Sequence, residues 1–153
     1  MRVQWQLKSF DELDIYELYT LISLRISVFV LEQECLYQEL DGKDKVCFHL
    51  IGKDEKDTLM AYARILPPGI SYSNVSIGRV LTDMSVRSTG IGHQLIEESL
   101  RFIHYQFENV AIQISAQKHL EKFYNRHGFE RISDEYLEDG IPPEKSVGAP
   151  VAF

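Results

Sequence analysis

Apolar and polar side chains alternate over residues 3–8, VQWQLK, the period-two pattern of a strand with one buried face. From Ser9 the period lengthens. Ser9 and Glu12 have capping-box spacing, and Leu18, Ile22, Ile26 and Phe29 then recur at helical intervals with Arg25 beside the stripe, which predicts a helix. Residues 33–45, QECLYQELDGKDK, are polar with a turn signal at Asp41-Gly42; they read as a loop with room for a short helical piece, and as a candidate wall of a site. Two apolar runs, 46–52 and 58–66, flank the polar stretch KDEKD as the arms of an antiparallel hairpin, and Pro67-Pro68-Gly69 ends the second. A further strand is expected over 74–82, then a helix over 90–107 that buries Ile91, Leu95, Ile96, Leu100 and Ile103. A strand over 110–115, a short helix over 118–126 and a strand over 130–136 complete the regular pattern. Pro142-Pro143 and Gly148-Ala149-Pro150 leave the tail room for a short strand only.

The order β-α-β-β-β-α-β-α-β, without repeat or linker, predicts one α/β domain over 1–153. Its central hairpins exclude a purely doubly wound sheet, so the sheet is expected to be mixed. At 153 residues, 44% hydrophobic and 25% charged, the chain has the size and balance of one globular domain, and no apolar run is long enough to cross a membrane. The first ten residues, MRVQWQLKSF, lack the apolar core of a secretory signal, so a cytoplasmic location is expected. Cys35 and Cys47 then stay reduced and read as small buried hydrophobes. Sixteen Lys and Arg against twenty-three Asp and Glu leave a charge of −7, the wrong sign for tracking nucleic acid but suited to a cationic substrate such as an amine. His93, His104, His119 and His127 show no metal-ligand spacing, and no metal is expected.

Chemistry concentrates at Arg87-Ser88-Thr89-Gly90-Ile91-Gly92, between a strand and a helix. A glycine-rich turn there exposes backbone N–H groups that no intrahelical carbonyl satisfies, at the positive end of the helix dipole. Gly90 and Gly92 would let a diphosphate approach, Thr89 could add a hydroxyl and Arg87 a cation. Taken alone the segment is equally a plain strand-to-helix turn. Rival phosphate loops fail by spelling: a Rossmann fingerprint needs glycine where Leu95 stands, and the Gly-Lys-Ser/Thr of a P-loop is absent.

Arg-x-x-Gly-x-Gly after a strand, followed about thirty residues later by Ala116-Gln117 and by Phe123-Tyr124-x-x-x-Gly128-Phe129, resembles the GNAT N-acetyltransferase family. Arg25-x-x-Val28-Phe29-Val30-x-Glu32-Gln33, Asp41-Gly42, Ala61-Tyr62-Ala63-Arg64 and Ile77-Gly78-Arg79-Val80 resemble its ElaA-like branch over roughly residues 5 to 140. The resemblance implies a GNAT fold, a mixed central sheet of about six to seven strands flanked by about four helices. It also implies transfer of the acetyl group of acetyl-CoA to a primary amine, on a small molecule or a peptide, by direct attack. Val80, Leu81 and Thr82 would pair with the pantetheine arm; Arg87 and the amides of Ser88, Thr89, Gly90, Ile91, Gly92 and His93 would hold the pyrophosphate. Gln117 stands where many relatives have asparagine beside the arm.

Tyr124 would lie near the sulfur as general acid, since a phenol can donate to the leaving thiolate; without the family pattern it reads as an aromatic packed beside Phe123 and Phe129. An alkyl ammonium must lose a proton before attack, so a base is needed. Candidates are Glu32, Glu39, Asp41 and His49, with Glu32 favoured by its place after the first helix; a solvated or structural carboxylate is the other reading. Arg25, Arg64 and Arg79 would orient substrate, together with Asp41, or pair internally with Glu32 or Asp41. Met84 replaces a frequent proline, and Pro143 a histidine of the branch. A possible homodimer and a non-catalytic acyl-CoA-binding or sensing module are the remaining expectations.

Overall fold

The computed structural model describes residues 2–132 and 150–152. Six strands, β1 (Gln4–Ser9), β2 (Phe48–Lys53), β3 (Leu59–Leu66), β4 (Val75–Thr82), β5 (Ile112–Gln117) and β6 (Pro150–Ala152), lie side by side in chain order. Neighbours from β1 to β4 are antiparallel, β4 and β5 are parallel, and β5 and β6 are antiparallel, so the sheet is mixed as expected. A parallel neighbour requires a long crossover, which the helix α2 (Ile91–Phe107) supplies. Among the described residues there are three α-helices, α1 (Ile15–Arg25), α2 and α3 (Glu121–Asn125), where about four were expected for the whole chain. The helical piece sought in the 33–45 loop is a 3₁₀ turn over Lys43–Val46.

The first helix starts later than its capping signal. Glu12 does accept from the Ser9 amide at 2.9 Å, but this box closes only the 3₁₀ turn Phe10–Glu12. A second box starts α1: Asp14 accepts from the Glu17 amide at 2.7 Å and Glu17 accepts from the Asp14 amide at 3.2 Å. Beyond Arg25 the chain widens into a π-helical segment, Ile26–Glu32. Of the strand expected over 130–136, residues 130–132 are irregular and the rest lie outside the described residues.

Both faces of the sheet are covered, and every residue of β3 is buried. On one face α2 packs Ile91, Leu95, Ile96 and Ile103 against Leu50, Ile65, Val75, Ile77 and Ile114. Each such side chain contributes roughly 2 kcal/mol when removed from water. Leu100 is only partly buried; Ser99 takes the sheet-facing position, its hydroxyl donating to the Leu95 carbonyl at 2.8 Å. On the other face Leu21 of α1 joins Ile51, Leu59, Tyr62 and Leu81. Trp5 sits opposite Gly52, and a Cβ at Gly52 would lie 2.6 Å from its ring.

Two irregularities open the sheet. Between Arg64↔Gly78 and Tyr62↔Leu81, Arg79 and Val80 on β4 face the single residue Ala63, a bulge in which Arg79 adopts φ +50°. The β4–β5 ladder holds only Val75↔Ile112, Ser76↔Gln113 and Ile77↔Ile114. Beyond them β4 runs on to Thr82 and β5 to Gln117 without pairing to each other, leaving a cleft between strands.

Candidate functional site

That cleft opens into a cavity of about 420 Å³, walled by Val80, Leu81 and Thr82 on β4, Ser115, Ala116 and Gln117 on β5, and Tyr124 on α3. The π-helical segment and the loop after it close the remaining side with Val28, Phe29, Glu32, Gln33, Cys35 and Tyr37. Backbone groups on the cleft edge of β4 therefore have no strand partner there. Ser115 Oγ is buried with no hydrogen-bond partner among the described residues, a polar atom that a ligand with amide groups would satisfy.

Arg87 lies at one end of the cavity, where the chain turns into α2. The first bond of the helix ladder runs from the Gln94 amide to the Gly90 carbonyl at 3.2 Å. Among the described residues no carbonyl or side chain accepts from the amides of Ser88, Thr89, Gly90, Ile91, Gly92 or His93. Gly90 enters the helix at φ +90°, a conformation that glycine adopts without steric cost. Ser88 takes φ +65° in the same turn. A run of such amides at a helix start, with the positive end of the helix dipole behind it, has the chemistry to receive an anion.

Side chains in this turn are committed elsewhere. The Thr89 hydroxyl donates to the Val86 carbonyl, so the hydroxyl contact expected from the sequence is replaced by a structural bond. Ile91 buries its side chain in the core. The His93 ring stacks on Phe123 at 4.6 Å and bonds His127 at 2.8 Å, tying α2 to the end of α3. Phe123 also lies 3.6 Å from where a Gly92 Cβ would stand. These contacts set Tyr124, which is 3% exposed and packed edge-on against Phe123 and Phe129. Burial pushes its phenol above the ordinary value.

Most charged candidates from the 25–79 region form one buried network instead of lining the cavity. Arg25 is fully buried, donating to Asp44 at 2.7 Å and to Glu39 at 3.3 Å. Arg64 donates to Asp41 at 2.6 and 2.9 Å and to Asp44 at 3.1 Å. Arg79 donates through Nε to both Glu39 oxygens at 2.7 and 2.8 Å beneath the Tyr37 ring, and it alone of the three arginines lines the cavity. Substrate orientation by Arg25 and Asp41 is thus corrected: one touches no open space, and the other is held by Arg64 away from the cavity wall. Burial alone would raise the Asp41 and Asp44 carboxyls, but the Arg64 and Arg25 guanidiniums outweigh it, holding Asp41 well below the usual range and lowering Asp44.

His49 is no base for this cavity. The Asp44 carbonyl, 2.8 Å from Nε2, can only accept, which puts the proton on Nε2; Nδ1 accepts from the Tyr62 hydroxyl at 2.6 Å. Burial lowers its pKa and keeps the ring neutral. Asp44, Cys47 and His49 come together as a possible ligand set for a metal. The two arginines on the Asp44 carboxylate repel a cation there, and burial pushes the Cys47 thiol up to about 12. Glu32 does face the cavity, and Arg87 donates to its two oxygens at 2.6 and 3.0 Å. Gln33, Tyr37 and Ser115 carry no role in the sequence reading, and Cys35, expected there as a buried hydrophobe, is only partly buried at the cavity wall; polarity of the 33–45 loop was the one signal pointing toward Gln33, Cys35 and Tyr37.

The profile of the acetyltransferase (GNAT) domain family matches residues 18–143. Escherichia coli ElaA is 38% identical over 92% of this chain and 92% of its own, and a UPF0039 protein of Synechocystis is 37% identical over the same shares. Among solved structures, that of E. coli ElaA superposes with a TM-score of 0.86 over 99% of this chain and 97% of its own, at 34% identity. An acyl-CoA N-acyltransferase from Pseudomonas aeruginosa superposes equally, at 0.86 over 99% and 97%, with 37% identity.

Proposed function

The chain belongs to the GNAT acetyltransferase family, and from that membership we propose that it is a cytoplasmic N-acetyltransferase moving acetyl from acetyl-CoA to a primary amine. The observation that carries the reading is the run of unbonded amides from Ser88 to His93 at the mouth of the β4–β5 cleft. A diphosphate fits those amides and Arg87, and an amide-bearing arm fits the unpaired strand edge at Val80, Leu81 and Thr82, as an added strand would. Ser115 and Gln117 offer polar contacts from the facing strand.

Acetyl-CoA supplies a thioester whose C–S bond breaks as the amine nitrogen bonds the carbonyl carbon. An ammonium loses two protons on the way to an amide. Glu32, directly or through water, takes the first and passes it to solvent; the second ends on the departing thiol. A thiol ionises near pH 8.5, and the Tyr124 phenol is raised by burial. The phenol therefore keeps its proton in the resting state, and its contribution is a hydrogen bond to sulfur while charge develops there.

A thiol-release assay over a panel of alkyl, amino-sugar and peptide amines tests the reading: amine-dependent release of CoA is expected. Tight acetyl-CoA binding with no turnover on any amine would favour the non-catalytic module instead.

A further inference from the structure

Glu32 ends the π-helical segment, Gln33 follows it directly, and their side chains reach opposite walls of the cleft. Glu32 is bonded bidentately to Arg87, at the start of the loop into α2. Gln33 Oε1 accepts from Gln117 Nε2 at 2.9 Å, at the end of β5. All four residues line the cavity. Two neighbouring side chains from one segment thus hold the two groups best placed to meet a diphosphate and a pantetheine arm.

We propose that Glu32-Gln33 is a strap across the cleft that the cofactor displaces, the diphosphate taking Arg87 from Glu32 and the arm taking Gln117 from Gln33. Glu32 becomes free to accept the acceptor's proton only once acetyl-CoA is seated. The inference rests on the acetyl-CoA reading above. The segment is suited to yielding: π-helical winding is rare and concentrates at functional sites, and none of residues Ile26–Glu32 is fully buried. The Glu32–Arg87 pair is part-exposed at 32% and 37%, so it is weak enough to exchange. Asp83 is the other anion near Arg87, but its carboxylate accepts from the amide and hydroxyl of Ser85, leaving Glu32 as the carboxylate bonded to the guanidinium. A diphosphate brings more charge than one carboxylate and gains the free amides as well. While Arg87 neutralises Glu32, an arriving ammonium finds no uncompensated anion there, so cofactor binding is expected to precede productive amine binding.

The test is calorimetric titration of CoA into the wild type, Glu32→Gln, Arg87→Ala and the double variant, each checked for folding by circular dichroism. Glu32→Gln is expected to bind CoA roughly two- to fivefold more tightly, the factor an exposed ion pair is worth. Arg87→Ala is expected to bind more weakly, and in its background Glu32→Gln should change nothing. Equal affinity of wild type and Glu32→Gln would overturn the strap while leaving the cofactor reading intact. So would a gain that persists without Arg87, since that marks plain charge repulsion between Glu32 and the ligand. No CoA binding by any of the four proteins would overturn the cofactor reading and the strap together.

Discussion

Replacing Asp44 by asparagine perturbs the buried network at its centre. Asp44 is 5% exposed, and one of its oxygens accepts from Arg25 at 2.7 Å and from Arg64 at 3.1 Å. Arg25, Arg64 and Arg79 are balanced by Glu39, Asp41 and Asp44, so the cluster is neutral as it stands. Asparagine keeps the shape but leaves one guanidinium charge uncompensated in a site closed to water. Two unit charges 4 Å apart interact by about 4 kcal/mol at an effective dielectric near 20. Removing one partner of a buried pair costs about 3–5 kcal/mol. Urea denaturation of Asp44→Asn is expected to show that loss with an unchanged m-value, and Tm should fall by about 6–20 °C for a domain of this size. Adding Arg25→Met removes the orphaned cation, so the double variant should be more stable than Asp44→Asn alone. A cost below about 1 kcal/mol for the single variant, or no recovery in the double, would refute the argument that the cluster is held by its charge balance.

The remaining predictions concern packing, pH and catalysis. Gly52→Ala puts a methyl group 2.6 Å from the Trp5 ring, so thermal unfolding should show a loss of about 1–3 kcal/mol unless β1 shifts. On acidification, stability should fall in two stages, read by urea denaturation between pH 3 and 8. Burial depresses the His49 pKa, so the folded state resists a proton that the unfolded chain accepts and the first loss begins as pH drops below about 6.5. Glu17, held at about 2 by Lys8, the Asp14 amide and Lys53 despite its burial, together with Asp41 and Asp44, drives the second, below about 4.5. Stability rising from pH 7 to 5 would contradict the first sign, and stability rising from pH 4.5 to 3 the second. Tyr124→Phe should lower kcat by about 10²-fold while acetyl-CoA affinity stays within about twofold; an unchanged rate removes the phenol from the mechanism.

Periodicity made most of the fold legible, because half-buried strands and α2 impose patterns that a single sequence displays. The start of α1 was misplaced because Ser9/Glu12 and Asp14/Glu17 are two capping boxes in succession, and only the extended Leu13 between them separates a 3₁₀ turn from the helix. No residue marks the β4 bulge: Arg79 takes φ +50° without being glycine, held by Glu39 and Tyr37, which are remote in sequence. The Gly90 turn was visible because its backbone needs glycine. Charged residues were the least legible. Arginine near an expected site reads equally as a substrate contact or an internal ion-pair partner, and only the fold reveals that Arg25 is sealed between Asp44 and Glu39. Glu32–Arg87 and Gln33–Gln117 join positions 55 and 84 residues apart, pairings that depend on the cleft and leave no local pattern.

The most direct test of the account is the backbone amide spectrum of the protein titrated with CoA. Binding is predicted to shift and protect the amides of Ser88 to His93 most strongly, with Val80 to Thr82 following and the Asp44 network unmoved. Saturable binding that left the Ser88 to His93 amides unperturbed, or no binding at all, would contradict it.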